Sequence, residues 1–302
     1  MAIGAEKPWG SRSSPVLPDI LTGSTADQPA IEAFLDARLA YAMFPRANLA
    51  DYGINGDAPY ASRFWLRKDQ GAIHDLIALS NNGVIQPCLQ SADFTAFAQA
   101  LNGQEVFALV GPRDQVRGLL APLGLSTAPR AMDSDEPHFL LDLNNLQTPD
   151  GTAHLIPMTD APMATLRDWF TAYERETLNT PADAAETRAA ANLARTLARK
   201  AGVVLMDGQT PVAMTSFSAE RPAIVQIGSV YTPPEHRGHA HARRAIALHL
   251  QQAHTNGAQH ATLFSANETA SKTYRALGFR QIGDWSVVLL RDKQVIHAQA
   301  TP

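Results

Sequence analysis

Apolar and polar positions along this chain follow two spacings, and the switches between them outline its elements. Ile31, Phe34, Leu35, Ala37, Leu39 and Met43 recur at helical spacing and predict a helix over 31–44 that Pro45 ends. Alternating or short apolar runs predict strands over 62–67, 73–79 and 83–89. Ser91 reads as the cap of a helix over 92–101, and Val106–Val110 as a buried strand. Pro112 suits the first turn of a helix running to about Leu123, and Phe139–Leu143 reads as a closing strand. Thr148-Pro149-Asp150-Gly151 is the strongest linker signal in the middle of the chain.

The second half repeats the rhythm. A strand over 155–158 precedes Asp160-Ala161-Pro162, which reads as a capped helix start, with the helix continuing to about Thr177. An Ala-rich helix over 183–200 follows, then strands over 203–206, 211–219 and 223–231. A helix over 240–255 stops at Asn256-Gly257; a strand over 260–265, a helix over 270–277 and final strands over 281–290 complete the pattern. Such mixing of helices and strands around one sheet argues an α/β or α+β fold. Leu123-Gly124 and Leu277-Gly278 each close a helix just before a half's last strands, a faint internal echo.

A length of 302 residues favours two domains, and the linker divides the chain into an extended arm (1–29), an N-terminal domain (30–147) and a C-terminal domain (152–302). The arm is rich in Pro, Ser and Gly and lacks the basic start and apolar core of a secretory signal. A net charge of −4 gives no global attraction to nucleic acid or an anionic membrane, and no apolar run reaches the ~18 residues of a membrane span. The lone Cys88 excludes an internal disulfide and a cysteine-based zinc site. His236, His239 and His241 crowd one region without the spacing of a zinc site, so no metal is expected. A cytoplasmic enzyme, monomeric or homodimeric, is the expectation.

Two blocks carry the chemistry. The first, Val230-Tyr231-Thr232-Pro233-Pro234-Glu235-His236-Arg237-Gly238-His239-Ala240-His241-Ala242, reads as a strand, a turn and a helix N-terminus built from small residues. N–H groups from about Gly238 to Ala242 lack intrahelical partners there and, with the helix dipole, favour an anion. The second block puts Asn267 before a helix and Tyr274 within it, followed by Leu277-Gly278-Phe279. Together they resemble the Gcn5-related N-acetyltransferase (GNAT) superfamily, over about residues 152–291. The resemblance implies a central mixed, mostly antiparallel sheet flanked by helices. With the internal echo, it suggests a tandem whose N-terminal copy is degenerate and lacks both blocks.

It also implies acetyl-CoA as cosubstrate and direct transfer of its acetyl group to an unidentified primary amine in a ternary complex. A longer acyl-CoA, or CoA binding without catalysis, are the alternative readings. The family's phosphate motif stands here as Arg237, Gly238, His239, Ala240, His241 and Ala242, with Ala240 in place of the usual Gly. The anion site still works if Ala240 has a helical φ, since Ala needs no positive φ there. Arg237, Arg243 and Arg244 would supply charge to the phosphates. Main-chain groups of Val230 and Thr232 would pair with the pantetheine arm like an added strand, and Asn267 and Ser271 would lie along it. Tyr274 is implied as the acid for the departing thiolate. Its alternative is a ring packed beneath the helix beside Leu277 and Phe279. No motif marks the base that takes the amine's proton; Asp168, Glu174, Glu176, Glu220 and Gln226 are open to it, with Glu176 favoured.

Overall fold

In the computed structural model the described residues are 19–178 and 180–299, so most of the expected N-terminal arm lies outside them. The elements in chain order are β1 (Ile20–Thr22), α1 (Gln28–Asp36), α2 (Leu39–Tyr52), β2 (Ser62–Asp69), β3 (Ala72–Ser80), β4 (Val84–Cys88), α3 (Phe94–Ala100), β5 (Glu105–Pro112), α4 (Arg113–Leu120) and β6 (Arg130–Asp142). They continue with β7 (His154–Pro157), α5 (Met163–Glu176), α6 (Ala182–Ala198), β8 (Gly202–Asp207), β9 (Thr210–Arg221), β10 (Ile224–Tyr231), α7 (His241–Thr255), β11 (His260–Phe264), α8 (Glu268–Ala276) and β12 (Arg280–Val295). The described part of the arm is not uniformly extended, since it contains β1 and the start of α1.

The chain divides into two compact units: residues up to His138 together with those from Gln281, and Phe139–Arg280. Each is built the same way. In the first, β1 is followed by two helices, an antiparallel run β2-β3-β4, a helix, β5 parallel to β4, and α4. In the second, β7 is followed by two helices, an antiparallel run β8-β9-β10, a helix, β11 parallel to β10, and α8. The sixth strand of each unit is out of chain order: β12 pairs antiparallel with β5 in the first, and the end of β6 from Phe139 lies beside β11 in the second.

This grouping differs from the boundary at 148–151. Residues 139–151 belong to the second unit and the last strand to the first. The pattern of an amphipathic strand marks its faces but not its partner, and the prior that sequential strands pair fails for about a third of them. The N-terminal half of β6 escaped the pattern because Arg130–Pro137 carries few apolar residues, although its exposure alternates as a strand's does.

Local differences have local causes. Pro45 lies inside α2 rather than ending a helix; the break is at Ala42 (φ −121°), which places Pro45 in the first turn of the following segment, where a missing N–H costs little. Asp93, not Ser91, caps α3, accepting from Ala96 N at 3.3 Å. Asp160 lies in a 3-10 turn, and Pro162 stands at the start of α5 with no side-chain cap.

In the second unit, Phe139, Val225, Ile227 and Leu263 pack with Ile246 and Leu250 of α7, while Val204, Met214 and Tyr231 pack with Leu166, Phe170 and Leu193 of α5 and α6. The sheet is thus covered on both faces, and its free end can carry a site.

The two echoed glycines are both required by geometry. Gly124 (φ +74°) and Gly278 (φ +100°) each leave a helix in the left-handed region, and an added Cβ would lie 2.6 Å from His297 O and 2.7 Å from Asn145 O, respectively. Gly257 (φ +103°) ends α7 with nothing within 4 Å of such a Cβ. Gly257→Ala is therefore expected to cost about 1 kcal/mol of stability and Gly278→Ala about 2–4 kcal/mol, in urea unfolding. Acid should also destabilise the protein. Burial pushes His138 and His249 down to about 3, while the unfolded residues titrate near ~6.5. Between those values the unfolded state binds more protons, so stability falls as pH drops from ~6.5 towards 3, by up to about 1.4 kcal/mol per pH unit for each histidine. His249→Phe should remove one histidine's share of that slope.

Candidate active site

The site grows from an interruption in strand pairing. β10 and β11 pair in parallel only over Ile224–Gln226 and His260–Thr262. β10 continues along β9 as far as Tyr231, with register breaks after Gln226 and Ile227. Main-chain groups on the β11 side beyond Gln226 therefore face a wedge without a partner strand. Pro233 and Pro234 follow, and neither can donate a backbone bond. Val230 and Thr232 stand along this stretch, and the Thr232 hydroxyl oxygen is buried without a protein partner.

Beyond the prolines, Arg237 is extended and Gly238 has φ +85°. Ala240 has φ +59° and ψ +19° and immediately precedes α7, which has no side-chain cap. A helical φ at Ala240 is thus not what the fold uses: the turn into α7 needs a left-handed residue, and Ala adopts it at a cost of about 1–2 kcal/mol. The first N–H of this helix bonded back into it is that of Arg244, to Ala240 O at 3.0 Å. Those of His241, Ala242 and Arg243 are left for an outside acceptor.

The cations around the loop divide. Arg237 donates from Nη2 to Glu176 Oε2 at 2.6 Å and from Nε to Thr232 O at 2.9 Å. Its guanidinium also lies 5.7 Å from the Tyr231 ring centre. The Tyr231 hydroxyl donates to Glu176 Oε1 at 3.1 Å. Burial, reinforced by the Glu176 charge, pushes Tyr231 up to about 12. Arg243 is half-buried, with Nε lacking a protein partner. Arg244 instead ties down the linker, donating to Pro149 O at 2.7 Å and Ala153 O at 2.9 Å. The rings of His239 and His241 stack at 5.7 Å, and burial, then His239, lowers His241. Among the described residues, no group of three or more His, Cys, Asp or Glu could hold a metal ion.

The second block is more committed internally than its spacing suggests. Asn267 Oδ1 caps α8, accepting from Ala270 N at 2.9 Å. Ser271 is fully buried and donates to Ser265 Oγ at 2.9 Å, and Ser265 donates to Asn267 O at 3.0 Å. Tyr274 is 8% exposed, its ring packed 6.2 Å from Phe139 and 5.9 Å from Phe279.

Of the open candidates for a base, Glu174 is buried and accepts from the Thr180 hydroxyl at 2.7 Å. Glu220 pairs with Arg199 at 3.5 Å, and burial raises its carboxyl. Gln226 is buried with Oε1 unpartnered, and as an amide it takes no proton. Asp168 and Glu176 line a cleft of about 770 Å³ between α5 and α6, with Ala189 and Leu193 on its apolar side and Arg167, Arg175 and Glu186 among its charged groups. The structure joins Glu176, Tyr231, Thr232 and Arg237. Sequence spacing missed the tie between Glu176 and Tyr231, which lie 55 positions apart.

The loop's strain gives a direct test. Ala240→Gly should raise unfolding stability by about 0.5–1 kcal/mol in urea, since glycine adopts this φ freely and gives back part of the gain as chain entropy. An unchanged or lower stability would contradict the strain.

Comparison with known proteins bears on this arrangement. A family model described as the acetyltransferase (GNAT) family matches residues 163–279. No curated protein matches the chain. Among solved structures, a Drosophila protein aligns at TM-score 0.60 and 11% identity, covering 90% of this chain and 98% of its own. A GCN5-related N-acetyltransferase from Sphaerobacter thermophilus aligns at TM-score 0.53 and 14% identity, covering 94% and 98%. A tandem GNAT protein of the clavulanic acid biosynthesis pathway aligns at TM-score 0.52 and 16% identity, covering 93% and 99%. At these identities the solved structures speak for the fold, and one of them is described as a tandem, in keeping with the two similarly built units of this chain. Residues 163–279 thus match the acetyltransferase (GNAT) family, and the solved structures show that the chain shares their fold.

Proposed function

We propose that the second unit transfers an acyl group, acetyl in the first instance, from acyl-CoA to a primary amine by direct attack in a ternary complex. The observation that carries this reading is the open β10 edge leading into the uncapped start of α7. An extended chain bearing amides matches the first, and a pyrophosphate matches the second. The buried, unpartnered Thr232 Oγ1 and Arg243 Nε are further polar atoms that such a ligand would satisfy.

In this reading Val230 and Thr232 offer main-chain groups to the pantetheine arm, and Gly238 to Ala242 hold the phosphates. Arg237 and Arg243 add charge, and Asn267 contributes the NH₂ of its amide, since Oδ1 is already used. Ser271 stiffens the turn before α8 rather than touching ligand. The acceptor enters from the cleft between α5 and α6. An alkyl amine of pKa ~10.4 must lose a proton before it attacks, and the thiolate of CoA, near ~8.5, must gain one on leaving. Tyr274, clamped between Phe139 and Phe279, is assigned the second task. Glu176 is bound by both Arg237 and Tyr231, which suits holding the phosphate loop better than accepting a proton.

Calorimetric titration with acetyl-CoA tests the reading: binding in the micromolar range is expected, and no binding at high micromolar concentration would overturn it. Tyr274→Phe should lower kcat at least tenfold with acetyl-CoA affinity unchanged. Glu176→Gln should raise KM for acetyl-CoA about tenfold and leave kcat within a few-fold. A collapse of kcat at constant KM would instead make Glu176 the base.

A further inference from the structure

The first unit contains the same interruption. β4 and β5 pair in parallel only at Val84–Ala108 and Ile85–Leu109, while β4 continues along β3 to Cys88. Gln86 to Cys88 therefore face a wedge, as the end of β10 does in the second unit. Leu89 follows β4 as Thr232 follows β10, and α4 follows β5 as α8 follows β11. The wedge here is filled by protein. Leu89 N donates to Gln115 Oε1 at 2.9 Å, and Gln115 Nε2 donates to Leu89 O at 3.0 Å. Gln115, on α4, is 4% exposed. Its carboxamide presents one donor and one acceptor, the same pair that a secondary amide of an extended ligand presents to a strand. Pro87 crowds the same space, its Cδ 2.9 Å from where a Cβ on Gly111 would sit.

The residues after Leu89 hold an anion, and it too is internal. Asp75 Oδ1 accepts from Gln90 N at 2.5 Å and from Ser91 N at 2.9 Å, and Oδ2 accepts from the Ser91 hydroxyl at 2.6 Å. Asp75 is fully buried. Burial alone would raise its carboxyl, but the bonds from Ser91 and Gln90 reverse this and hold it below its ordinary value. Arg67, 2% exposed, lies 3.3 Å from Asp75 and also binds Asp93 at 2.7 Å. Two successive N–H groups and a hydroxyl converging on one carboxylate form the kind of nest that elsewhere takes a phosphate.

We infer that the first unit carries a donor site of the second unit's kind in closed form, with the Gln115 carboxamide in the amide position and the start of α3, the helix that corresponds to α7, capped by the Asp93 side chain. The chain consequently binds one acyl-CoA, and the first unit is excluded from transfer by its own side chains. The inference on stoichiometry rests on the reading that the β10–α7 wedge takes acyl-CoA.

The test uses the full chain in two arms. Calorimetric titration with acetyl-CoA should give one site per chain. Two sites would overturn the closure while leaving the donor reading intact, and zero sites would overturn the donor reading. The second arm needs no ligand: amide hydrogen exchange is followed over residues 88–92 in the wild type and in Gln115→Ala, a substitution that removes two hydrogen bonds but no ion pair. Slow exchange in the wild type, accelerated about tenfold or more in Gln115→Ala, is expected. Fast exchange in the wild type, or no change in the variant, would overturn the closure whatever the titration shows.

Discussion

A strand that loses its neighbour partway along a sheet leaves main-chain donors and acceptors that must be satisfied. Everything else about this molecule follows from how that demand is met. Each unit pairs its two parallel strands for a short stretch, two residues in the first and three in the second, before they part. A buried amide without a partner costs on the order of 1–3 kcal/mol, so a wedge of this kind persists only if something fills it. In the first unit the filler is the Gln115 carboxamide, in a bond that runs both ways. In the second, among the described residues, no carboxamide bridges the corresponding Thr232, whose carbonyl accepts from Arg237 Nε, and an orphaned Thr232 hydroxyl remains beside the edge. The same architecture thus reads as a closed interior in one unit and as a receptor in the other.

The residues just after Leu89 follow the same logic with charge. Asp75 brings a carboxylate to the backbone after β4, and Arg67 neutralises it within the fold. A buried ion pair of this sort does not need to add net stability, but it holds one geometry because either partner alone would be a costly buried charge. After β10 the corresponding residues are Pro233 and Pro234, which have no N–H to offer a carboxylate. The chain instead spends conformational strain at Ala240 to turn three N–H groups of α7 outward. Strain held at a loop that presents donors is an arrangement directed at a ligand rather than at stability.

Much of this was legible in sequence where local rules decide. The elements from Val203 to Phe279 emerged within a residue or two because their apolar spacing is regular and Gly257, Pro233 and Pro234 punctuate them. The echo of Leu123-Gly124 in Leu277-Gly278 was legible too, and its cause, a backbone carbonyl against each glycine, is one that only coordinates reveal. What failed depends on distant partners. Nothing in the pattern of Arg280–Val295 says that it pairs with β5, and nothing in Arg130–Pro137 offers an apolar face to notice. Ser91 looked like a cap because its type is right; the fold gave its hydroxyl to Asp75 and the cap to Asp93. At Ala240 the residue type left a helical backbone open, and the turn demanded the opposite hand.

The cluster of Glu176, Tyr231 and Arg237 shows how the loop before α7 and the α5–α6 cleft are joined within one unit. Arg237 has five N–H donors. Nη2 binds Glu176 and Nε binds Thr232 O, which leaves donors on a side chain that is about half exposed. It can therefore contact a phosphate without releasing the carboxylate. Glu176 in turn lines the α5–α6 cleft and holds the Tyr231 hydroxyl, whose own ionisation is displaced upward by burial and by that carboxylate. A carboxylate with two such donors keeps its place. Its physical consequence is to fix the end of α5 against the loop that leads into α7; under the proposed function, what the cleft admits would then meet a donor held in one position.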